Sequence, residues 1–225
     1  MRCASCQHTC ASRVPIFRDL DAQELARFND ILTTKDYDDG DVIYSQGSPA
    51  RSLCIVNSGS VKLFKTSPDG REQVLRILHP GDFFGETILF SEETRAASAQ
   101  ALGASKICRI DKYQAEAIIH RNPDIAHKLI AAMNIRLLQA EEQIEYLGTR
   151  TTLQRVARLI VDLAEEQGSV TVTLPLSREG LASLTGMTVE NFSRKLSELS
   201  NQGLITPRGR KTLLVRDLEN LKELT

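Results

Sequence analysis

The chain has 225 residues, which is enough for two modest domains that each bury a core. Hydrophobic residues make up 41% and charged residues 25%, with a net charge of −1, a composition typical of soluble globular proteins. No apolar run approaches the length of a membrane-spanning helix, and cysteines occupy the N-terminus where a signal peptide would have its apolar stretch. We therefore expect a cytoplasmic protein with no membrane partner.

Residues 1–15 form a cysteine-rich arm. Cys3, Cys6 and Cys10 place three thiols within eight residues. Because disulfides are rarely structural in the cytoplasm, we interpret the five cysteines of the chain first as metal ligands, redox thiols or core residues.

A β-rich domain is predicted at residues 16–121. It begins with a short helix near residues 21–32, and β-type runs separated by glycines follow. These runs are residues 42–44, 53–56, 60–64, 73–78 and 106–110. Because glycine supplies the positive φ of turns, strands at this spacing indicate a closed or double-sheet all-β unit. Pro68-Asp69-Gly70 predicts a hairpin turn, and Cys54, inside an apolar run, predicts a core residue.

A long helix is predicted at residues 122–150, starting from the N-terminal signal Asn122-Pro123. Apolar side chains recur along it at alternating spacings of four and three. They are Ala126, Ile130, Met133, Leu137, Ala140, Ile144 and Leu147. This heptad pattern favours two helices packed along one stripe, and hence a homodimer. The alternative is a helix that lies on its own β domain. Gly148-Thr149 ends this helix, and another is predicted at residues 152–167.

Residues 151–225 contain a predicted helix-turn-helix. Ser177 can cap its first helix, and Gly186 permits the left-handed turn that follows. Phe192 and Leu196 are expected to hold the second helix on the first. The second helix of such a unit enters the major groove of DNA.

A β-hairpin with a basic tip follows the second helix. Two short strand-like runs enclose Arg208, Arg210 and Lys211. Residues 168–216 carry seven basic side chains against three acidic ones, in a chain that is slightly acidic elsewhere. Such a surface is typical of phosphate binding. Together, the hairpin and the two helices predict a winged helix-turn-helix that binds DNA.

The whole chain resembles the Crp/Fnr family of bacterial regulators. The resemblance is carried by the glycine-punctuated β-roll, the Gly-Asp-Phe-Phe-Gly-Glu segment at residues 81–86, the long helix after Asn122-Pro123 and the winged helix. It implies an α+β fold with an N-terminal cyclic-nucleotide-binding-like β-roll (jelly roll), a long dimerisation helix and a C-terminal winged helix-turn-helix. It also implies a transcription regulator with no enzymatic activity, whose partners are double-stranded DNA, a second copy of the chain and RNA polymerase.

The recognition helix resembles that of the Fnr branch, because residues 190–194 match that branch's Glu-x-x-Ser-Arg. By that resemblance Arg194 donates to a guanine, Glu190 accepts from a cytosine amino group and Ser193 contacts a thymine. The implied target is a palindrome of TTGAT-like half-sites. Lys195 stands where the family usually has an aliphatic residue, and we expect it to extend toward a phosphate.

The cysteines resemble the ligand set of the same branch. There, an N-terminal cysteine cluster and one distant cysteine hold an oxygen-labile [4Fe–4S] cluster, which implies Cys3, Cys6, Cys10 and Cys108 as ligands here. Cys6 and Cys10 are closer together than is usual in that branch. The resemblance predicts a regulator that responds to oxygen.

Two other uses of these thiols remain open. Some Gram-positive relatives link a cysteine just before a Val-Pro-x-Phe segment to the cysteine of the late strand, and Cys10 and Cys108 would form that disulfide here. Zinc is also a chemically sound occupant of Cys3, Cys6 and Cys10 with either His8 or Cys108, because zinc accepts mixed sulfur and nitrogen ligands.

A cyclic nucleotide is a further alternative. Family members that bind it use a Gly-Glu pair and an arginine followed by Ser or Thr for the phosphate. Here Glu86 and Arg95 remain, but Ala96 replaces the hydroxyl, and Ala140 and Glu141 stand where a cAMP-binding relative offers hydroxyls to the base. We therefore interpret Glu86 and Arg95 as a residual structural ion pair in a vestigial ligand pocket.

The motifs argue against an enzyme. No nucleophile elbow, phosphate loop or metal-hydrolase motif is present, and His79, His120 and His127 are not spaced as the clustered ligands of a cupin-type metal site. We expect His79 in a hairpin turn.

Overall fold

The computed structural model describes residues 14–17, 22–89, 94–209 and 211–225. The chain divides into two compact units, residues 1–137 and 138–225. Within the described ranges, no helix combines the length and the apolar character that a bilayer crossing requires.

The first unit contains an antiparallel sheet of six described strands with helices before and after it. The strands are β1 (Thr33–Tyr37), β2 (Val42–Tyr44), β3 (Ser52–Thr66), β4 (Glu72–Leu78), β5 (Phe83–Phe84) and β6 (Ser98–Asp111). The helices are α1 (Ala22–Ile31), α2 (Lys112–Arg121) and α3 (Pro123–Thr149), of which α3 continues into the second unit. The strand order is β1-β6-β3-β4, with β2 also paired to β6 and β5 to β3.

Strand β3 corrects one prediction, because the separate runs at residues 53–56 and 60–64 belong to a single strand. Its pairing with β6 shifts register on both sides of Ser58. Gly59 follows with φ +78°, and a side chain there would collide with Ser105 of β6. The positive φ of Gly59 therefore belongs to an irregularity within the strand and not to a turn that ends it.

Other local predictions in this unit are confirmed. Strand β2 has the predicted bounds, and Pro68-Asp69-Gly70 lies in the turn between β3 and β4. Gly70 adopts φ +82° and its N–H donates to Ser67 O at 2.9 Å. His79 lies in a turn, where its N–H donates to Asp82 Oδ2 at 2.8 Å.

Two apolar clusters lie on opposite faces of the sheet, because successive side chains of a strand alternate between faces. Leu53 and Ile55 of β3 belong to what we call the outer cluster, which also receives side chains from α1, α2 and α3. Cys54 and Val56 belong to the inner cluster, which is built almost entirely from strands. Cys54 is 1% exposed, which confirms it as a core residue.

The second unit contains the end of α3 and the elements that follow it. These are α4 (Thr152–Gln167), β7 (Thr171–Thr173), α5 (Arg178–Leu184), α6 (Val189–Asn201), β8 (Ile205–Pro207), β9 (Thr212–Val215) and α7 (Leu218–Glu223). Helix α4 has the predicted bounds because both ends are capped: Thr151 and Gln154 form a capping box, and Gly168 closes the C-terminus in the left-handed conformation. The strands form a sheet in the order β7-β9-β8.

Candidate nucleic-acid interface and sensor residues

Helices α5 and α6 form the predicted helix-turn-helix. Ser177 Oγ accepts from the Gly180 N–H at 3.2 Å and caps α5, as predicted. Gly186 supplies the turn with φ +65°. Thr188 Oγ1 then accepts from the Asn191 N–H at 3.3 Å and begins α6. Each boundary is thus fixed by a short polar side chain or by glycine.

Helix α6 has one buried and one solvent-facing side. Phe192 and Leu196 are 1% and 2% exposed, which confirms their predicted role as anchors. Glu190 and Arg194 are exposed, and Ser193 is half-buried. The buried anchors fix the helix backbone, so the three residues expected to read bases are held on its outer side near the N-terminus.

Two contacts on this outer side were missed by the sequence analysis. Arg194 Nη2 donates to Asn191 Oδ1 at 3.0 Å. From α5, Arg178 Nη1 donates to Ser193 Oγ at 3.4 Å. The first contact has a sequence signal, since residues three apart on a helix are neighbours. The second joins two helices and has no local signal.

Lys195 is paired within its own helix. Its Nζ lies 2.7 Å from Glu198 Oε2, and its side chain is 20% exposed. The ion pair offsets the charge of Lys195 in the free protein, and its contact with a phosphate stays a prediction.

The wing is the hairpin of β8 and β9. Ile205 pairs with Val215 and Pro207 with Leu213. Arg208 N–H donates to Thr212 O at 2.8 Å. The side chains of Arg208 and Lys211 are exposed at the tip, whereas Arg210 lies outside the described residues.

The predicted stripe of α3 is only partly open to solvent. Four of its residues are exposed: Ile130, Leu137, Ala140 and Ile144. Met133 instead packs against the outer cluster, and Ala126 is half-buried. Leu147 Cδ2 lies 3.0 Å from the position that a side chain on Gly186 would take. The same helix therefore packs on its own chain and exposes an apolar stripe.

Cys108 is the one predicted metal or redox cysteine that the described ranges contain, since Cys3, Cys6 and Cys10 lie outside them. It is fully buried in the outer cluster, which also contains Val14, and its Sγ lies 3.6 Å from Thr34 Oγ1. Among the described residues, no group of three or more His, Cys, Asp or Glu is arranged to hold a metal ion.

Cys54 lies on the opposite face of the sheet, in the inner cluster. Burial raises the pKa of its thiol, and the nearby charges of Arg109 and Arg95 oppose that shift. The sheet thus separates the two described thiols.

The predicted ion pair between Glu86 and Arg95 is wrong. Arg95 is 5% exposed and donates from Nη1 to Gly85 O at 3.2 Å and from Nη2 to Ser52 O at 2.6 Å. Its guanidinium also lies 4.2 Å from the centre of the Tyr44 ring. Because a side chain on Gly85 would collide with Arg95, this glycine makes the room that the guanidinium occupies.

Glu86 pairs with Arg136 of α3 instead, with 2.7 Å between Oε1 and Nη1. Arg136 Nη2 also donates to Phe83 O at 2.5 Å, and its guanidinium lies 4.1 Å from the centre of the Phe83 ring. The partner of Glu86 is supplied by the long helix, 50 residues further along the chain.

Comparisons with known proteins match both parts of this architecture. A family of cyclic nucleotide-binding domains matches residues 34–122, and the Crp-like helix-turn-helix domain matches residues 154–224. The cyclic AMP receptor protein of Thermus thermophilus is 31% identical over 93% of this chain and 96% of its own length. The chain belongs to the Crp/Fnr family. This Crp/Fnr member is therefore a DNA-binding transcription regulator and not an enzyme.

Other relatives agree with the assignment. The CRP-like cAMP-activated global transcriptional regulator of Mycobacterium tuberculosis is 29% identical over 93% of this chain and 96% of its own length. The structure of FixK2 from Bradyrhizobium japonicum superposes with a TM-score of 0.76 at 28% identity, covering 86% of this regulator and 97% of FixK2. The predicted α+β fold, with its β-roll, long helix and helix-turn-helix, is confirmed.

Proposed function

We propose that this Crp/Fnr regulator is a cytoplasmic, redox-responsive transcription factor that binds palindromic TTGAT-like half-sites as a homodimer and contacts RNA polymerase. Its DNA affinity responds to oxygen through Cys3, Cys6, Cys10 and Cys108, which hold a [4Fe–4S] cluster. The observation that carries this proposal is the burial of Cys108 in one apolar cluster with Val14, which follows Cys10 by four residues.

The outer side of α6 supports the base contacts. An arginine fork matches the O6 and N7 acceptors of guanine, and a glutamate accepts from the amino group of cytosine. Arg194 and Glu190 are both exposed near the N-terminus of α6, the part of a recognition helix that meets base edges. The exposed Arg208 and Lys211 of the wing supply sequence-independent contacts with phosphates.

The exposed stripe of α3 supports the homodimer. Ile130, Leu137 and Ile144 are 65%, 57% and 72% exposed, and they recur every seventh residue. Fully burying a Leu or Ile side chain that was fully exposed contributes about 1.5–3 kcal/mol, and covering these partly exposed side chains contributes the corresponding fraction of that value. A second α3 packed along this stripe buries all three and places two recognition helices in a two-fold arrangement, which a palindrome requires.

The reach of the chain supports a thiol site at Cys108. The four-residue tether between Cys10 and Val14 can span at most roughly 14 Å. Cys3 and Cys6 precede Cys10 in the same arm. The donor set fits an iron–sulfur cluster, because four thiolates are its ordinary ligands. The apolar side chains around Cys108 would limit the access of water to a group bound there.

When bound, the cluster would supply an oxygen-sensitive redox group. The chain supplies the link between that group and the fold. Cys108 belongs to β6, which pairs with β1, β2 and β3, so a change at its sulfur acts on the centre of the sheet. The outer cluster also contains Ile125 and Leu129 of α3, through which such a change reaches the helix that carries the exposed stripe.

A disulfide between Cys10 and Cys108 is the second candidate, favoured by the same proximity to Val14. Its formation removes two protons and two electrons from the two thiols and needs an oxidant to accept the electrons. It does not require Cys3 or Cys6. Zinc held by the arm cysteines with His8 or Cys108 is a redox-inert variant of the first site.

A cyclic nucleotide is less well supported, although several relatives are named for cAMP. Both Nη atoms of Arg95 already donate to backbone carbonyls, and Glu86 is paired with Arg136. Ala96 brings no hydroxyl to a phosphate. These features support a β-roll that is closed by its own side chains.

Anaerobic purification tests the proposal. A broad absorbance at about 400 nm that bleaches in air is expected of the cluster. DNA affinity should differ between aerobic and anaerobic conditions in the wild type and in Cys54→Ser. It should be the same under both conditions in Cys108→Ser and in Cys6→Ser. If the DNA affinity of Cys6→Ser still responds to air, the cluster is ruled out and the disulfide between Cys10 and Cys108 is favoured. A Cys108→Ser protein that still switches overturns both.

A further inference from the structure

The outer side of α6 holds a side-chain pair that the base assignment does not use. Arg194 Nη2 donates to Asn191 Oδ1 at 3.0 Å, one helical turn toward the N-terminus. Asn191 is half-buried, and its backbone N–H donates to Thr188 Oγ1 at 3.3 Å. Because Phe192, between them, is 1% exposed, the backbone that carries both side chains is fixed.

This contact restricts a side chain that otherwise has many rotamers. A guanidinium has five N–H donors, and the contact with Asn191 uses one of them. The remaining donors still include a fork for the two acceptors of guanine. Holding the guanidinium before DNA arrives lowers the conformational entropy that binding has to remove.

The partner of Arg194 is also neutral, which matters next to DNA. Lys195, the next residue, is paired with the carboxylate of Glu198 at 2.7 Å, which offsets its charge. Asn191 orients Arg194 through an amide oxygen and leaves the positive charge intact. Because Oδ1 accepts from Arg194, the amide N–H groups of Asn191 are directed away from this contact and are available as donors.

We infer that Asn191 is a positioning and specificity-determining residue for DNA recognition. Its amide oxygen holds the guanidinium of Arg194 in the orientation that reads guanine, and its amide N–H groups donate to an acceptor on the DNA. This inference rests on the proposed role of Arg194 as the guanine-reading residue.

Asn191→Ala removes the contact with little risk to the fold. The cap of α6 uses the backbone N–H of residue 191, which alanine retains, and alanine favours helix. Asn201→Ala is the matched control, because Asn201 is an exposed asparagine at the other end of α6. Unchanged thermal unfolding of both variants verifies that the helix is intact.

The experiment measures the affinity of each dimer for a TTGAT operator, for the operator with 7-deazaguanine in place of guanine, and for one with adenine there. The 7-deaza base lacks only the N7 acceptor. Asn191→Ala is expected to bind the intact operator about tenfold more weakly and to lose most of the penalty for 7-deazaguanine, whereas Asn201→Ala matches the wild type.

The two assignments fail in different ways. If Arg194→Ala keeps the preference for guanine, the proposed role of Arg194 is wrong. If Arg194→Ala loses that preference but Asn191→Ala shows the affinity and both penalties of the wild type, the positioning role of Asn191 is overturned. Adding Asn191→Ala to Arg194→Ala should change the guanine preference no further, and independent losses would also contradict the inference.

Discussion

Arg136 of α3 forms an ion pair with Glu86, with 2.7 Å between Nη1 and Oε1 and side chains that are 18% and 16% exposed. Removing one member of such a pair leaves the other charge poorly solvated. We expect Arg136→Met to lower the free energy of unfolding by about 3 kcal/mol, measured by urea denaturation. Arg158→Met is the control, because its ion pair with Asp162 is half-exposed and contributes below about 1 kcal/mol. Equal losses of unfolding free energy in the two variants would show that burial does not strengthen the ion pair between Arg136 and Glu86.

The wing should contribute affinity without sequence preference. Lys211 is exposed at its tip, where it can contact a phosphate. Lys211→Ala is expected to weaken binding to specific and random DNA alike and to reduce the slope of log K against log salt by about 0.9 per subunit, which is about 1.8 for the dimer. Titrations at several salt concentrations measure this, with Lys35→Ala of the β-roll as the control for lost charge. A loss confined to the specific operator would show that Lys211 reads bases.

The exposed stripe of α3 gives a prediction about assembly. Ile144 is 72% exposed in the single chain, and Ile144→Asp would place charges in the seam between two helices. Sedimentation should show monomers that no longer retain operator DNA. Leu75→Asp, which alters an exposed apolar residue of the β-roll, should remain dimeric. We expect the wild type to be dimeric both with and without air. A dimeric Ile144→Asp protein would contradict dimerisation along the exposed stripe of α3.

Burial of the two described thiols predicts their reactivity. Burial raises the pKa of Cys54, so at any given pH a smaller fraction of it is thiolate than in a free cysteine. In the reduced native protein without a bound cluster, Cys54 and Cys108 should resist iodoacetamide at pH 8, and both should react fully in denaturant. Labelling of native Cys54 should increase only above the pH range in which ordinary cysteines ionise. Mapping by mass spectrometry checks both residues, and rapid native labelling of Cys54 would contradict its burial.

Sequence patterns located α1, α3, α4, α5 and α6, whereas α2 and α7 were not predicted although Asp111 and Asp217 cap them. Ser177 and Gly186 cap or turn the chain through contacts with residues nearby, and both were identified from residue type and spacing, whereas Gly168 was not identified as the cap of α4. Strand β1, with the sequence Thr-Thr-Lys-Asp-Tyr, was not predicted as a strand. It has no apolar alternation, and its conformation depends on pairing with β6, more than 60 residues away.

The site shows the same division between local and distant contacts. The residues of α6 that face outward could be predicted, since helical periodicity assigns Phe192 and Leu196 to the inside. The partner of Glu86 could not, because Arg136 approaches from a helix that only the fold brings near. The contact between Arg178 and Ser193 depends in the same way on how α5 packs against α6.

The pairing of β3 with β6 has a consequence for synthesis of the chain. Ser52 pairs with Asp111, so the ribosome must add about 60 residues before β3 meets its full partner, which takes about 3 to 12 seconds at about 5–20 residues per second. During that interval Leu53, Cys54, Ile55 and Val56, all nearly inaccessible in the finished roll, emerge before β6 is present to pair with their backbone. This stretch is the part of the nascent chain on which chaperone protection should concentrate.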